Sequence, residues 1–115
     1  MRRATGPTPA VRTAVYEREG YRCARCGDVD GPFAIHHRSA RRLGGSRLAS
    51  KNYLSNLVLV DDACHSWAES YRTRAESEGW IVRSHQDPAT TPILYRGRWS
   101  LLTDLGAVEP VEVSA

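Results

Sequence analysis

The chain has 115 residues and a mass of 12.8 kDa, and its sixteen basic and thirteen acidic side chains give a net charge of +3. This length accommodates one domain. No apolar run approaches the roughly 18 residues of a membrane-spanning helix, and the Arg-containing start has no apolar segment that would predict a secretory signal. We therefore predict a single globular domain with no membrane partner.

The charge is distributed unevenly along the chain. Residues 1–60 carry eleven basic and four acidic side chains, whereas residues 61–115 carry five basic and nine acidic ones. Fifteen of the sixteen basic residues are Arg, whose planar guanidinium binds phosphate through two parallel hydrogen bonds. A basic half indicates a polyanionic partner. A GC-rich genome would give the same preference for Arg without any ligand, so both explanations stay open.

The N-terminal segment predicts a basic arm followed by a short helix. Residues 1–8 are expected to be disordered. Thr8 is a suitable N-cap, Pro9 suits the first helical position, and Gly20 is a suitable C-terminal stop. A tight turn that holds Cys23-Ala-Arg-Cys26 comes next. Three cysteines, two of them paired in this way, fit metal-binding thiolates in a reducing compartment better than a disulfide framework.

The middle of the chain predicts two strands separated by a loop. Residues 33–37 alternate between apolar and polar as a strand does, and residues 57–60 form a short apolar run. Residues 38–52 are polar, basic and interrupted by Gly44-Gly45, which predicts an exposed loop.

A helix is predicted over residues 64–78, because Trp67, Tyr71 and other apolar residues recur at helical spacing, and these two aromatic rings are expected to face the core. Asp61-Asp62 can turn the chain and cap this helix, and Gly79 ends it.

The C-terminal part predicts short strands that pack on the same domain, within residues 80–105. The candidates are Trp80-Ile81-Val82 and two runs, 93–95 and 99–102, on either side of an Arg96-Gly97 turn. Residues 106–115 are expected to form a flexible tail.

Three histidines have contexts that predict metal chemistry. His36 and His37 end the first strand, and adjacent strand residues point to opposite faces. His65 begins the predicted helix. A strand–loop–strand–helix unit brings the start of the helix beside the first strand. One of the paired histidines could therefore bind a metal with His65 while the other faces the substrate.

The order of these motifs resembles the HNH endonucleases, most closely the small stand-alone enzymes of tailed bacteriophages. Asn56 precedes His65 by nine residues, which is the spacing of that family. The match covers about residues 10–70 and is carried by the following segments: Ile35-His36-His37-Arg38, Leu43-Gly44-Gly45-Ser46, Ser55-Asn56-Leu57-Val58-Leu59-Val60 and Cys64-His65.

The resemblance implies an α+β fold with a ββα-metal (His-Me finger) core over residues 9–79, which hydrolyses DNA phosphodiester bonds. His37 would be the general base, and His36 and His65 would hold one divalent cation, which could be Mg, Mn, Ni or Zn. Asn56 would tie down the loop between the strands and help to orient His37. The expected setting is the cytoplasm of a bacterial host. Genome packaging beside a terminase, homing and restriction-like cleavage stay open as roles.

The cysteines depart from the family pattern. Many members hold a structural zinc with two Cys-x-x-Cys pairs, but here Asp61 stands where the second pair would begin. Cys23, Cys26, Cys64 and Asp61 could still close a zinc tetrahedron, with lower affinity than four thiolates. The alternative is a degenerate site without metal, in which the thiols pack as small apolar groups.

The basic loop supplies the predicted DNA contacts. They are Arg38, Arg41, Arg42, Arg47 and Lys51. No base-reading helix is evident, so we expect binding to duplex DNA with low sequence specificity and a steep dependence on salt. Two other functions compete with the nuclease: a non-catalytic zinc-knuckle DNA-binding accessory protein and a metal-dependent RNase.

Overall fold

The first helix begins and ends at the capping residues that the sequence predicts. In the computed structural model, which describes residues 6–39 and 52–112, α1 spans Pro9–Glu19. The Thr8 hydroxyl accepts a hydrogen bond from the Val11 backbone N–H at 3.2 Å, and Gly20 closes the helix at φ +69°. A positive φ favours glycine, which explains why the helix stops there. Only the end of the predicted arm, from residue 6 onwards, lies within the described residues.

Two antiparallel strands follow, and a helix continues directly from the second. β1 is Phe33–His37 and β2 is Leu57–Asp61, paired so that His36 lies opposite Val58 and His37 opposite Leu57. The next helix, α2 (Asp62–Ser70), starts without a loop.

All of β2 is buried because both of its faces are covered. Leu57 and Leu59 pack with Val15 of α1, whereas Val58 and Val60 pack in the cluster that contains Ala68 of α2. The two strands predicted for this region are confirmed.

The helix predicted over residues 64–78 is broken at Tyr71. It consists of α2 and a shorter helix, α3 (Arg72–Ser77), and Tyr71 between them has the non-helical angles φ −117° and ψ 58°. The Tyr71 side chain is 59% exposed, so the prediction that its ring faces the core is wrong. The change of direction instead buries Ala75 beside Trp80.

The C-terminal part forms a second antiparallel sheet in the order β3-β4-β5. β3 is Ile93–Tyr95, β4 is Arg98–Leu102 and β5 is Val108–Pro110. The first two strands flank the predicted Arg96-Gly97 turn. β5 shows that the flexible tail predicted for residues 106–115 is wrong over this stretch, because β5 pairs with β4 and Val108 packs against the core.

Trp80-Ile81-Val82 is not a strand, which corrects another prediction. Its backbone N–H groups bond to separate places: Trp80 donates to the Ala75 carbonyl and Val82 to that of Arg38. The segment still contributes to the core, because Trp80 packs with Ile93 and Leu102. These residues belong to the same cluster as Val58 and Val60 of β2.

The predicted α+β class is therefore confirmed for the described residues. Among those residues, no helix is long and apolar enough to cross a membrane.

Candidate functional site

The end of β1 and the exposed side of α2 enclose an open cavity of about 280 Å³. His36, His37 and His65, the three histidines singled out in the sequence, all line it. The remaining lining residues come from β1, from α2 and α3, and from the segment after α3: Ile35, Arg38, Ala68, Glu69, Arg72 and Ile81.

His36 is buried in the wall of the cavity and held in one tautomer. Its Nε2 lies 2.7 Å from the Trp80 carbonyl oxygen. A carbonyl oxygen only accepts hydrogen bonds, so Nε2 carries the proton and the lone pair of the neutral ring is on Nδ1. Burial lowers the pKa of His36 to about 4, and the nearby His65 and His37 act in the same direction. The ring is therefore neutral at pH 7, which is the form that binds metals.

The His65 imidazole lies against that of His36. The two ring centroids are 5.4 Å apart at an interplanar angle of 72°. His65 is in the first turn of α2, and its Nε2 lies 4.0 Å from Glu69 Oε1, one helical turn further on. The structure therefore places the two predicted metal ligands side by side.

His37 reaches the same cavity although it neighbours His36 on the strand. Its Nε2 donates a hydrogen bond to Asn52 Oδ1 at 3.0 Å. The sequence predicts opposite faces for the two rings, and they do have different partners. Both still border one cavity because β1 ends at its rim.

Asn56 fixes the chain where it leaves β1. It is fully buried, and its Oδ1 accepts from the Ser39 backbone N–H at 2.7 Å while its Nδ2 donates to the Ser39 carbonyl at 3.3 Å. Its own carbonyl accepts from the Arg38 N–H at 2.8 Å. Asn56 thus holds Arg38 and Ser39, the two residues that follow His37. They begin the loop that the sequence predicts Asn56 to tie down.

Arg38 is predicted as a DNA contact, but its side chain is buried and therefore not presented to a ligand in solution. The residue is 1% exposed, and its guanidinium donates to four backbone carbonyls at 2.7 to 3.0 Å. These carbonyls belong to Ser55, Gly79, Pro88 and Thr91. The other predicted DNA contacts, Arg41, Arg42, Arg47 and Lys51, lie outside the described residues, as does the Leu43–Ser46 segment.

A second cluster holds the three cysteines and Asp61. One potential ligand atom from each of Cys23, Cys26, Asp61 and Cys64 lies within 4.8 Å of all the others, which is close enough to bind a metal ion. Cys26 Sγ donates to Asp61 Oδ2 at 3.1 Å, while Asp61 Oδ1 accepts from the Cys64 N–H at 2.7 Å and so caps α2.

The thiols of this cluster differ in acidity. Burial raises the pKa of Cys26 and of Cys64. Burial also acts to raise the pKa of Cys23, but the backbone N–H groups of Cys26, Asp61 and Arg25 outweigh it and lower the pKa. Because thiolate rather than thiol binds a metal, filling this cluster would release protons.

Sequence reasoning missed Glu69 and Arg72, which line the cavity, and Asn52 and the Trp80 carbonyl, which bond to His37 and His36. The spacing of Glu69 and Arg72 held a signal, since they follow His65 by four and seven residues and such positions share one face of a helix. Asn52 and the Trp80 carbonyl are brought in by the path of the chain.

No protein-family model, curated protein or solved structure matches the chain.

Proposed function

We propose that the chain is a metal-dependent HNH endonuclease that hydrolyses phosphodiester bonds of duplex DNA with low sequence specificity. One observation carries the proposal: His36, His37 and His65 border a single open cavity. His36 and His37 lie on β1 and His65 lies on α2, and β1, its antiparallel partner β2 and the directly following α2 have the order of elements in a ββα-metal unit.

The donors in the cavity fit a divalent cation. His36 presents a neutral imidazole beside that of His65, and two imidazoles leave coordination positions for substrate oxygens. Mg, Mn, Ni and Zn are the candidate ions. When bound, the cation would stabilise negative charge on the reacting phosphate and on the leaving oxygen.

His37 is the proposed general base. It would take the proton of the attacking water on its unprotonated ring nitrogen, as a neutral imidazole can. The hydrogen bond to Asn52 orients its ring. Asn56 acts as a positioning residue, because it holds the chain just after His37 through both backbone groups of Ser39.

We further propose zinc as the metal of the cysteine cluster, with Asp61 as the fourth ligand. Three thiolates and a carboxylate are a suitable tetrahedral set for zinc. This cluster is also the observation that favours the second candidate function, a non-catalytic zinc-knuckle protein that binds DNA. That protein would need the cysteines but not His37.

Plasmid nicking with and without EDTA tests the nuclease. The wild type should nick supercoiled plasmid with Mg, Mn, Ni or Zn, and EDTA should abolish the activity. His37→Ala should keep its fold and metal affinity but lose roughly a hundredfold or more in rate, the usual contribution of a general base. His85→Ala is the matched control, since His85 is exposed and does not line the cavity.

Three results would count against this assignment. Equal nicking by His37→Ala and wild type would remove His37 as the base. DNA binding without nicking in any of the four metals would favour the zinc-knuckle protein. Faster cleavage of RNA than of duplex or single-stranded DNA would identify an RNase.

The resemblance to phage enzymes supports a role beside terminase subunits in the host cytoplasm, within this same proposal.

A further inference from the structure

Two of the described residues that line the cavity are arginines, one with a buried and one with an exposed side chain. The guanidinium of Arg38 is buried and uses four of its five N–H donors on backbone carbonyls, so it has no pair of donors left for a ligand. Arg72, the first residue of α3, is exposed at the rim. Within residues 6–39 and 52–112 its side chain makes neither a hydrogen bond nor an ion pair.

Other arginines near Arg72 are paired. On the same short helix, Arg74 lies 3.4 Å from Glu78 and also approaches the Trp67 ring. Arg83 forms an ion pair with Glu76 at 2.7 Å. Glu69 lines the same cavity as Arg72 and is 70% exposed, yet it lies within 4.0 Å of His65 rather than of Arg72.

An unpaired guanidinium at the rim of a histidine-lined cavity suits an anionic ligand. Its five donors form a planar fork that matches two oxygens of one phosphate, and such charge-assisted bonds are about twice as strong as neutral ones. No side chain of the described part of the chain has to be displaced before Arg72 binds such an anion.

We propose that Arg72 binds the non-bridging oxygens of the DNA phosphate that enters the cavity, and so positions it between His37 and the His36–His65 pair. This inference rests on the proposed nuclease function. It assigns the substrate contact to the helical side of the cavity, in addition to the predicted basic loop after β1.

Salt-dependent DNA binding tests the contact without any cleavage. The wild type, Arg72→Ala and Arg74→Ala, without added divalent metal, would be titrated with a fluorescent DNA duplex at several salt concentrations. Loss of one phosphate contact should reduce the slope of log K against log salt by about 0.9 for Arg72→Ala. Arg74→Ala removes the same charge from the same helix and should keep the wild-type slope. Arg72→Lys keeps the charge, so it should retain the slope and bind with intermediate affinity.

Nicking kinetics supply the second readout. Arg72→Ala should lower kcat/KM by about tenfold to a hundredfold, the usual range for losing a hydrogen bond to a charged group. Arg74→Ala should change it by less than about twofold, since its side chain is exposed and outside the cavity. Thermal unfolding of both variants checks that neither substitution acts through the fold.

The outcomes separate the two proposals. If the wild type nicks DNA and Arg72→Ala matches Arg74→Ala in slope and kcat/KM, the assignment of Arg72 is overturned and the nuclease stands. If the wild type binds but never nicks, and only Arg72→Ala loses slope, the nuclease is overturned and the phosphate contact stands. A wild type that neither binds nor nicks overturns both.

Discussion

The side chain of Arg38 has a role that its neighbours in the sequence do not predict. It belongs to a run of basic residues after β1, which indicates a solvated or DNA-binding loop. Its guanidinium instead joins backbone carbonyls at positions 55, 79, 88 and 91. A carbonyl is present at every residue, so the sequence carries no sign of which ones converge on an arginine. The side chains of His36 and His65 could be identified because one ends a predicted strand and the other begins the predicted helix.

Substitution of Arg38 should destabilise the whole protein. Arg38→Ala leaves four carbonyls without their donor, and Arg38→Lys cannot reproduce the planar fork. We expect losses in unfolding free energy of about 3–5 kcal/mol for the alanine and about 2 kcal/mol for the lysine, measured by urea denaturation. Arg74→Ala, at an exposed position, should stay within about 0.5 kcal/mol of wild type. A stable Arg38→Ala variant with weakened DNA binding would instead support Arg38 as a DNA contact.

At the scale of elements, local signals account for part of the fold and tertiary contacts for the rest. The ends of α1 follow from Thr8 and Gly20, and β2 follows from its apolar run, because these signals act within a few residues. The break at Tyr71 and the formation of β5 depend on tertiary packing: Ala75 and Trp80 join the core cluster of Val58 and Ile93, and β5 needs β4 beside it. Helical spacing continues through such a break and cannot reveal it.

The start of α2 joins the cysteine cluster to the histidine cavity. Asp61 uses one carboxylate oxygen to cap the helix and the other to accept from Cys26, and His65 follows Cys64 directly. Asp61 caps the helix and is proposed as a zinc ligand, and substitutions can separate the two roles.

Asp61→Cys should strengthen the proposed zinc ligand and remove the helix cap. A fourth thiolate should tighten zinc binding by about tenfold or more, while loss of the cap should cost the metal-free protein about 1 kcal/mol. Asp61→Ser keeps a capping oxygen without the carboxylate, so it should weaken zinc binding and leave metal-free stability near that of wild type. Competition with a chromophoric chelator gives the affinities, and urea unfolding in EDTA gives the stabilities. Equal zinc affinity in all three proteins would exclude Asp61 as a ligand.

Across the whole molecule, the two halves of the chain share one interior. The buried carboxylate of Glu19 at the end of α1 is paired with Arg18, accepts from the Leu59 N–H at 3.0 Å and accepts from the Tyr95 hydroxyl at 2.9 Å. It therefore ties α1 to β2 and to β3. The nuclease unit predicted over residues 9–79 has its core completed by residues that follow it.

A chain that ends at residue 79 should therefore fail to fold. It would lack Trp80, Ile93 and Leu102, which are at most 1% exposed. Burial of a large apolar side chain contributes about 1.5–3 kcal/mol, so the summed loss approaches the entire stability of a small domain. Circular dichroism during urea unfolding should show no cooperative transition. A chain that ends at residue 112 is the control and should unfold like the full protein. A cooperative transition in the shorter chain would show that residues 9–79 fold independently.

The hydrogen bond from His36 to the Trp80 carbonyl sets an unusual constraint on how this sequence can vary. The bond spans 44 positions and decides which imidazole nitrogen holds the proton, yet its acceptor is main chain. As far as this bond is concerned, the amino acid at position 80 could change freely without moving the proton. An insertion or deletion in α3 would shift the carbonyl and release the ring. Which nitrogen of His36 is protonated therefore depends on the number of residues between positions 36 and 80, and not on the side chain at position 80.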